Sequence, residues 1–487
     1  MKPLQKVGHR IKDGIKHLPR SLGKAAVAIG RASSHGFQAI RNGIGRFFST
    51  FAKGDFRTKL SYILMGSGCL LRGQVVKGLG LLGIQAAFIT YITNFGATQL
   101  SLLSTLGKSA KKEIWSEKDQ IYLYVQGDNS MLILLFSVLT LFIIGAFLWL
   151  YLVNIKLAYQ NQLAQGKGQK LNNIIQDFKA LFDKNLHVTF LTLPTIGIMV
   201  FTILPLIFMI LIAFTSYDSN HQPPGSLFTW VGLENFENIF YGNTVKSATF
   251  SGVFRWTVTW AFFATFTNYL LGMILALMIN KKGIQFKKLW RTIFIITIAV
   301  PQFVSLLLMS RLLADQGAAN VFLGYLGIAP VQFLTNPTLA RITVIIVNIW
   351  VGIPYTMLIT SGVLMNIPAE LYESARIDGA GTIKAFTRIT LPYMLFVTTP
   401  YLITQFIGNM NNFNVIYLLS GGGPLSLDYY QAGKTDLLVT WLYKLTVNNQ
   451  DYNLASAIGI IIFVISAVLS LIVYNMSSSV KKEDSFQ

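Results

Sequence analysis

Eight stretches of this chain, at 76–95, 131–153, 187–215, 251–280, 292–312, 341–365, 393–419 and 454–476, are long and apolar enough to cross a membrane as helices. A hydrocarbon core of ~30 Å takes ~20 helical residues. No water reaches the backbone there, so only helices and closed barrels can span it. Barrel strands would be about ten residues of strict alternation, and nothing in this sequence alternates that way. Composition agrees, because 53% of the 487 residues are hydrophobic and 12% charged, too few charges for the surface of a soluble protein of this length. The sequence predicts an all-α polytopic membrane protein with about eight transmembrane helices.

Orientation follows from lysine and arginine. With both termini cytoplasmic, inside segments carry 28 of the 40 basic residues, 13 of them before Leu60, and outside loops carry seven. That satisfies the positive-inside rule. The net charge of +20 thus reports topology and anionic lipid, and no nucleic-acid partner is expected, because the basic residues flank spans instead of forming one patch. The lone Cys69 excludes a disulfide within the chain and a cysteine metal cluster. No signal peptide is expected, since the first 59 residues lack an apolar core.

The chain divides into a basic cytoplasmic tail at 1–59, an interfacial segment with spans one and two at 60–186, a core of six spans at 187–476 and a short cytoplasmic tail at 477–487. Ile11, Ile15 and Leu18 recur at helical spacing between lysines, which suits either a helix on the inner leaflet or a tail that only enforces orientation. The apolar 60–72 stretch is too short to span and reads as interfacial or re-entrant. Prolines at 194, 205, 301, 354 and 400 fall inside spans, where neighbours or a cavity must satisfy the freed carbonyls.

Three strings look like nucleotide chemistry: Leu419-Ser420-Gly421-Gly422-Gly423, Gly107-Lys108-Ser109 and Gly433-Lys434-Thr435. A phosphate loop needs a glycine five residues before its Gly-Lys pair, where this chain has Leu102 and Asp428. All three also fall outside by the charge rule. Gly421–Gly423 are expected to end a span and turn the chain before Pro424. No catalytic residues and no metal site are expected, since no Ser/His/Asp set or zinc-spaced cluster stands out. A secondary transporter would place ionisable residues deep in its spans, whereas the mid-span polar residues here are mostly amides.

One cytoplasmic loop, 367–392, has more internal design. After Pro368, Ala369–Ile377 carries good helix formers with Glu370 and Glu373 early, where the helix dipole favours acids. Asp378-Gly379-Ala380-Gly381 is a turn, and a second short helix is predicted over Thr382–Thr390 before Pro392 opens the next span. Shape alone fits an ordinary amphipathic loop. The spacing of Glu373-Ser374-Ala375, Gly379, Ile389 and Leu391-Pro392 resembles the EAA loop of the permease subunits of binding-protein-dependent ABC importers, with Ser374 in place of an alanine. The similarity runs from about residue 187 to 476. It is nearest the larger permease of maltose and maltodextrin systems, through Trp230–Phe236, Val347–Tyr355, Asn411–Pro424 and Ala432–Leu445.

That resemblance implies a type I importer permease fold in the cytoplasmic membrane, with Glu373, Ser374, Ala375, Gly379, Ile389, Leu391 and Pro392 docking a separate ATPase. It implies a second homologous permease, an ATPase dimer, an extracytoplasmic sugar-binding protein and an oligosaccharide substrate. ATP and magnesium would bind the ATPase, and this chain would bind no cofactor. Some relatives carry a large domain between spans three and four, where this chain has about 35 residues.

Two polar faces bear on the cargo. Asn348, Val351, Gly352 and Tyr355 recur at i, i+3, i+4 and i+7, as do Gln405, Asn409 and Asn412 at i, i+4 and i+7. Periodicity leaves open whether these amides tie helices together or line a pathway. The resemblance implies that Asn348, Val351, Gly352, Tyr355, Asn409 and Asn412, with Gln302, line the sugar site. Ile298 and Gly408 depart from aromatic positions, which implies a reduced stacking surface.

Overall fold

The computed structural model describes residues 38 and 41–476, apart from 118–119, 126, 242–243 and 282. The helical spacing of Ile11, Ile15 and Leu18 therefore lies outside the described residues. The chain falls into two compact units that meet in sequence at Gly232 and Leu233. It is predominantly helical, as expected for the fold class. Among the described residues, six helices are single, long and apolar enough to cross a membrane, or seven spans if one bent pair counts as one.

The first unit holds α1 (Val75–Tyr91), which runs on to Leu102, α2 (Ser130–Gly166) and α3 (Leu186–Ile198), which runs on to Ile212. Asn129 caps α2, its side chain accepting from the Leu132 N–H. The 60–72 stretch is not a span but a set of tight turns around the short helix Ser67–Leu70. Gly66 sits at φ 81°, and a Cβ there would overlap the Gly78 carbonyl. Its N–H donates to Asn154 Oδ1 of α2 at 2.9 Å. Arg72, its side chain wholly buried, pairs with Asp55 at 2.6 Å. Burial alone would raise the Asp55 carboxyl, but bonds from Thr58 and the Arg72 guanidinium hold it below its ordinary value.

A hairpin departs from the all-α expectation: β1 (Lys112–Ser116) pairs antiparallel with β2 (Ile121–Val125), placing Trp115 opposite Tyr122. Beside it, the Asp128 carboxylate accepts the Lys108 and Ser109 N–H groups at 2.7 and 3.1 Å. Those backbone bonds lower its pKa. The Gly107-Lys108-Ser109 string is thus a turn whose donors are already given to a carboxylate.

The second unit contains α4 (Val245–Asn280), α5 (Lys287–Ala299), α6 (Gln302–Leu312), α7 (Pro337–Leu364), α8 (Ala369–Ile377), α9 (Thr382–Ala385), α10 (Leu391–Met410), α11 (Phe413–Ser420) and α12 (Tyr452–Met476). Two predicted spans are broken. The 292–312 span is α5 and α6, bent by 85° at Val300–Pro301, because Pro301 cannot continue a helix hydrogen bond. The 393–419 span stops at Met410 and restarts at Phe413, with Asn412 Oδ1 capping the new helix on the Val415 N–H. Asn412 is therefore not a third turn of one continuous face. The second helix of the loop also differs: α9 passes through a wider π-helical turn at Phe386–Thr390 straight into α10.

The core lies where α4 crosses α7. Trp256, Trp260, Val344 and Val347 pack with Leu306 of α6 and with Val415, Ile416 and Leu419 of α11. A Cβ on Gly272 would overlap Thr356 Oγ1, so the helices approach closely there. Thr356 Oγ1 donates to the Asn268 carbonyl at 2.9 Å.

Beyond α11, Gly421 and Gly422 turn the chain at φ 60° and 76°, as the glycine run predicts. Lys444 Nζ and the Gly433 N–H both reach Asp436 Oδ2 at 2.6 Å, and Asp436 is fully buried. Burial pushes this carboxyl up, against the opposing pull of Lys444 and the Gly433 N–H. Trp256 Nε1 and Arg341 Nε bind the carbonyls of Thr435 and Lys434, tying the loop to α4 and α7. Replacing Lys444 with Met should destabilise the protein by ~3–5 kcal/mol, by stranding a buried carboxylate, and Asp436→Asn with Lys444→Met should recover most of it. Thermal unfolding in detergent reads both, and an equally stable single variant would refute the ion pair's role.

Candidate functional site

The loop at 367–392 presents α8 and α9 as two arms. Asp378 N–H donates to the Ser374 carbonyl at 3.0 Å and Ala380 N–H to the Ala375 carbonyl at 2.8 Å, closing α8. Gly379 turns the chain at φ 73°, a left-handed conformation that costs an L residue ~1–2 kcal/mol. Tyr372 and Thr390 hydroxyls meet at 2.8 Å and tie the arms together. Glu373, Ser374, Gly379 and Pro392 are exposed, whereas Ala375, Ile389 and Leu391 are half-buried. The sequence reading missed Ile377 and Ile383, 87% and 81% exposed on either side of the turn. Their signal was the placing of two isoleucines beside a glycine turn.

Leu391 and Phe386 lead inward from the loop and pack on Tyr269, Met273, Met394 and Leu402. Above that cluster lies a cavity of about 210 Å³. All seven residues named from the sequence, Asn348, Val351, Gly352, Tyr355, Asn409, Asn412 and Gln302, line it. They come from α6, α7, α10 and the break after α10. Gln405 lines it too, and so do Thr265, Asn268, Tyr269 and Tyr401, which the sequence reading did not single out. Neither Ile298 nor Gly408 is among the lining residues.

Part of this polar lining is already used. Asn409 Nδ2 donates to Thr265 Oγ1 at 3.0 Å, and Asn412 Nδ2 reaches Asn409 Oδ1 at 3.4 Å. Gly352 has a definite role, because a Cβ there would overlap the Asn268 amide. Asn348 Nδ2, Asn268 Oδ1 and the Tyr401 hydroxyl are buried with no hydrogen-bond partner. Such an atom forfeits ~1–3 kcal/mol. Orphaned polar groups around a cavity fit a ligand rich in hydroxyls, each of which both donates and accepts.

Comparison with known proteins agrees with this geometry. Residues 268–482 match the family described as binding-protein-dependent transport system inner membrane component. The galactooligosaccharides transport system permease protein GanP of Bacillus subtilis (strain 168) is 34% identical over 424 residues, 86% of this chain and 97% of the relative. The maltodextrin transport system permease protein MdxF of the same organism is 34% identical over 446 residues, 89% and 98% of the two chains. A chain in the crystal structure of a bacterial alginate ABC transporter, in complex with an alginate pentasaccharide-bound periplasmic protein, superposes with a TM-score of 0.51 at 25% identity. That match covers 63% of this chain and 98% of that one. Aligned with relatives along nearly their full length and carrying the polar cavity and cytoplasmic loop described above, the chain belongs to the binding-protein-dependent transport system inner membrane components, as a multi-pass permease subunit of an ABC sugar importer.

Proposed function

We propose that this permease forms half of the pathway through which an ATP-driven importer carries maltodextrins into the cell. The observation that carries the reading is the cavity on which amides and tyrosines from α4, α7 and α10 converge, in a chain with a full-length relative named for maltodextrin. The similarity to a galactooligosaccharide permease supports a second cargo, galacto-oligosaccharides. Both are chains of neutral hexoses, so the same amides would serve either.

The partners follow from what the chain offers. It has one docking loop, and an ATPase dimer has two grooves, so a second homologous permease would supply the other loop and the other cavity wall. An extracytoplasmic binding protein would deliver the sugar, and ATP with magnesium would bind the ATPase subunits. Glu373, Ser374, Ala375 and Gly379, with Ile377 and Ile383, would seat in the ATPase groove. Ile389, Leu391 and Pro392 would join that seat to α10. Closure of the ATPases on ATP would move the loop, and the run from α9 into α10 would carry the motion to the cavity, opening it outward; hydrolysis would return it inward. This chain performs no covalent chemistry.

Glu373→Lys or Gly379→Val should cut sugar uptake by proteoliposomes at least tenfold while the binding protein still binds sugar. Normal uptake in either variant would refute the docking role. Asn409→Ala or Asn412→Ala should lower uptake several-fold with the ATPase still co-purifying, and loss of the ATPase would instead make these amides helix ties. Maltotriose-loaded binding protein should stimulate ATP hydrolysis by the purified complex more than the galacto-oligosaccharide-loaded form, and the reverse order would reassign the cargo.

A further inference from the structure

The cavity has two levels along the membrane normal. Asn348, Asn409 and Asn412 lie at its outer end, because α7 runs inward from Pro337 and α10 outward from Leu391. Asn268, Tyr269, Tyr355 and Tyr401 lie nearer the cytoplasmic ends of their helices. Tyr401 and Asn409 are eight residues apart on α10, about 12 Å at 1.5 Å per residue. That distance separates the two levels.

The inner level is polar without being satisfied. Asn268 is 8% exposed, and its Oδ1 has no partner. It is held in place from behind, since Gly352 leaves only enough room for this amide to lie against α7. The Tyr401 hydroxyl is also buried and unpartnered. The neighbouring Tyr269 hydroxyl differs, being bonded to Thr398 Oγ1 at 2.7 Å. An acceptor and a hydroxyl, both desolvated, both fixed and both on one cavity wall, cost free energy in the empty state that a bound hydroxyl group would return. Tyr355 and Tyr401 also bring aromatic faces to this level, and pyranose C–H faces pack against such rings.

We infer that Asn268 and Tyr401 form an inner sugar-contacting level, which receives a glycosyl unit on the cytoplasmic side of the outer amides and discriminates among cargo sugars by their hydroxyl arrangement. Asn268 Oδ1 accepts a sugar hydroxyl proton, and the Tyr401 hydroxyl donates to or accepts from a second. This rests on the reading of the cavity as the sugar pathway.

The test is uptake of radiolabelled maltotriose by proteoliposomes holding the whole complex, supplied with loaded binding protein outside and ATP inside. Tyr401→Phe keeps the ring and removes only the oxygen. It should lower uptake about three- to tenfold, the range for one lost hydrogen bond, and leave the melting temperature of the detergent-solubilised complex unchanged or raised. Asn268→Leu keeps the volume and should act in the same direction. A merely structural hydroxyl would lower the melting temperature instead, and a Tyr401→Phe protein that melts lower or fails to assemble overturns the inference. Uptake within twofold of the parent for Tyr401→Phe, beside a clear loss for Asn409→Ala, overturns the inner level and leaves the cavity reading standing. If Asn409→Ala also transports normally, the cavity reading fails and the inner level with it.

Discussion

Glycine stands at two points where α4 and α7 cross, and the second unit is organised around the close approach it permits. Lipid tails are as apolar as leucine, so helices inside a membrane gain little from burying apolar surface against one another; packing and interhelical bonds must hold them. At Gly272 the hydroxyl of Thr356 fills the space a side chain would take, and it reaches the Asn268 carbonyl one turn away. At Gly352 the traffic runs the other way, and the Asn268 side chain lies on α7. The same seam thus joins the helices at Thr356 and fixes a cavity-lining amide at Asn268. Trp256, Trp260, Val344 and Val347 close the seam on its outer side.

Much of this was legible in the sequence, for reasons that differ by element. Spans are legible because a helix in lipid must be apolar all round, a signal that needs no knowledge of neighbours. The loop at 367–392 was legible because its turn, cap and charges are local. Breaks were harder. Pro301 was visible as a proline, but whether it kinks a helix or ends one depends on what surrounds it. Asn412 was read as part of a continuous face, yet asparagine competes for backbone bonds and favours caps, and Asn412 caps α11. The hairpin at 112–125 carries aromatic and β-branched residues that do signal strands, a local signal overshadowed by the helical reading of the chain. Asn268 and Tyr401 gave no signal of their own, because their place on the cavity depends on Gly352 and on helices distant in sequence.

The three strings that imitate nucleotide motifs carry a related lesson. Successive backbone N–H groups in a glycine turn form a concave anion site, and Gly107-Lys108-Ser109 makes one. There the anion is supplied by the chain itself, Asp128, whereas at Gly433-Lys434-Thr435 the first N–H goes to Asp436 and the next two go to the Pro424 and Gly422 carbonyls. The mimicry extends to the chemistry of the turn and ends at its occupant. Lys434 extends the contrast, its ammonium lying over the Tyr429 ring at 3.8 Å.

The interruption between α10 and α11 divides the chain mechanically. On one side, α9, the π-helical turn and α10 make an unbroken rod from the exposed Ile383 to Asn409. On the other, α11 is packed against Leu306 and Val344, and Ser420 is bonded to Thr435 of the outer loop at 2.8 Å. Along the chain, Asn411 and Asn412 join the two bodies. A helix carried through this point would bind the 367–392 loop and the loop after α11 into one rigid piece. The two non-helical residues loosen that link, and Trp260 Nε1, donating to the Asn409 carbonyl at 3.0 Å, fastens the end of the rod to the core it shares with α11.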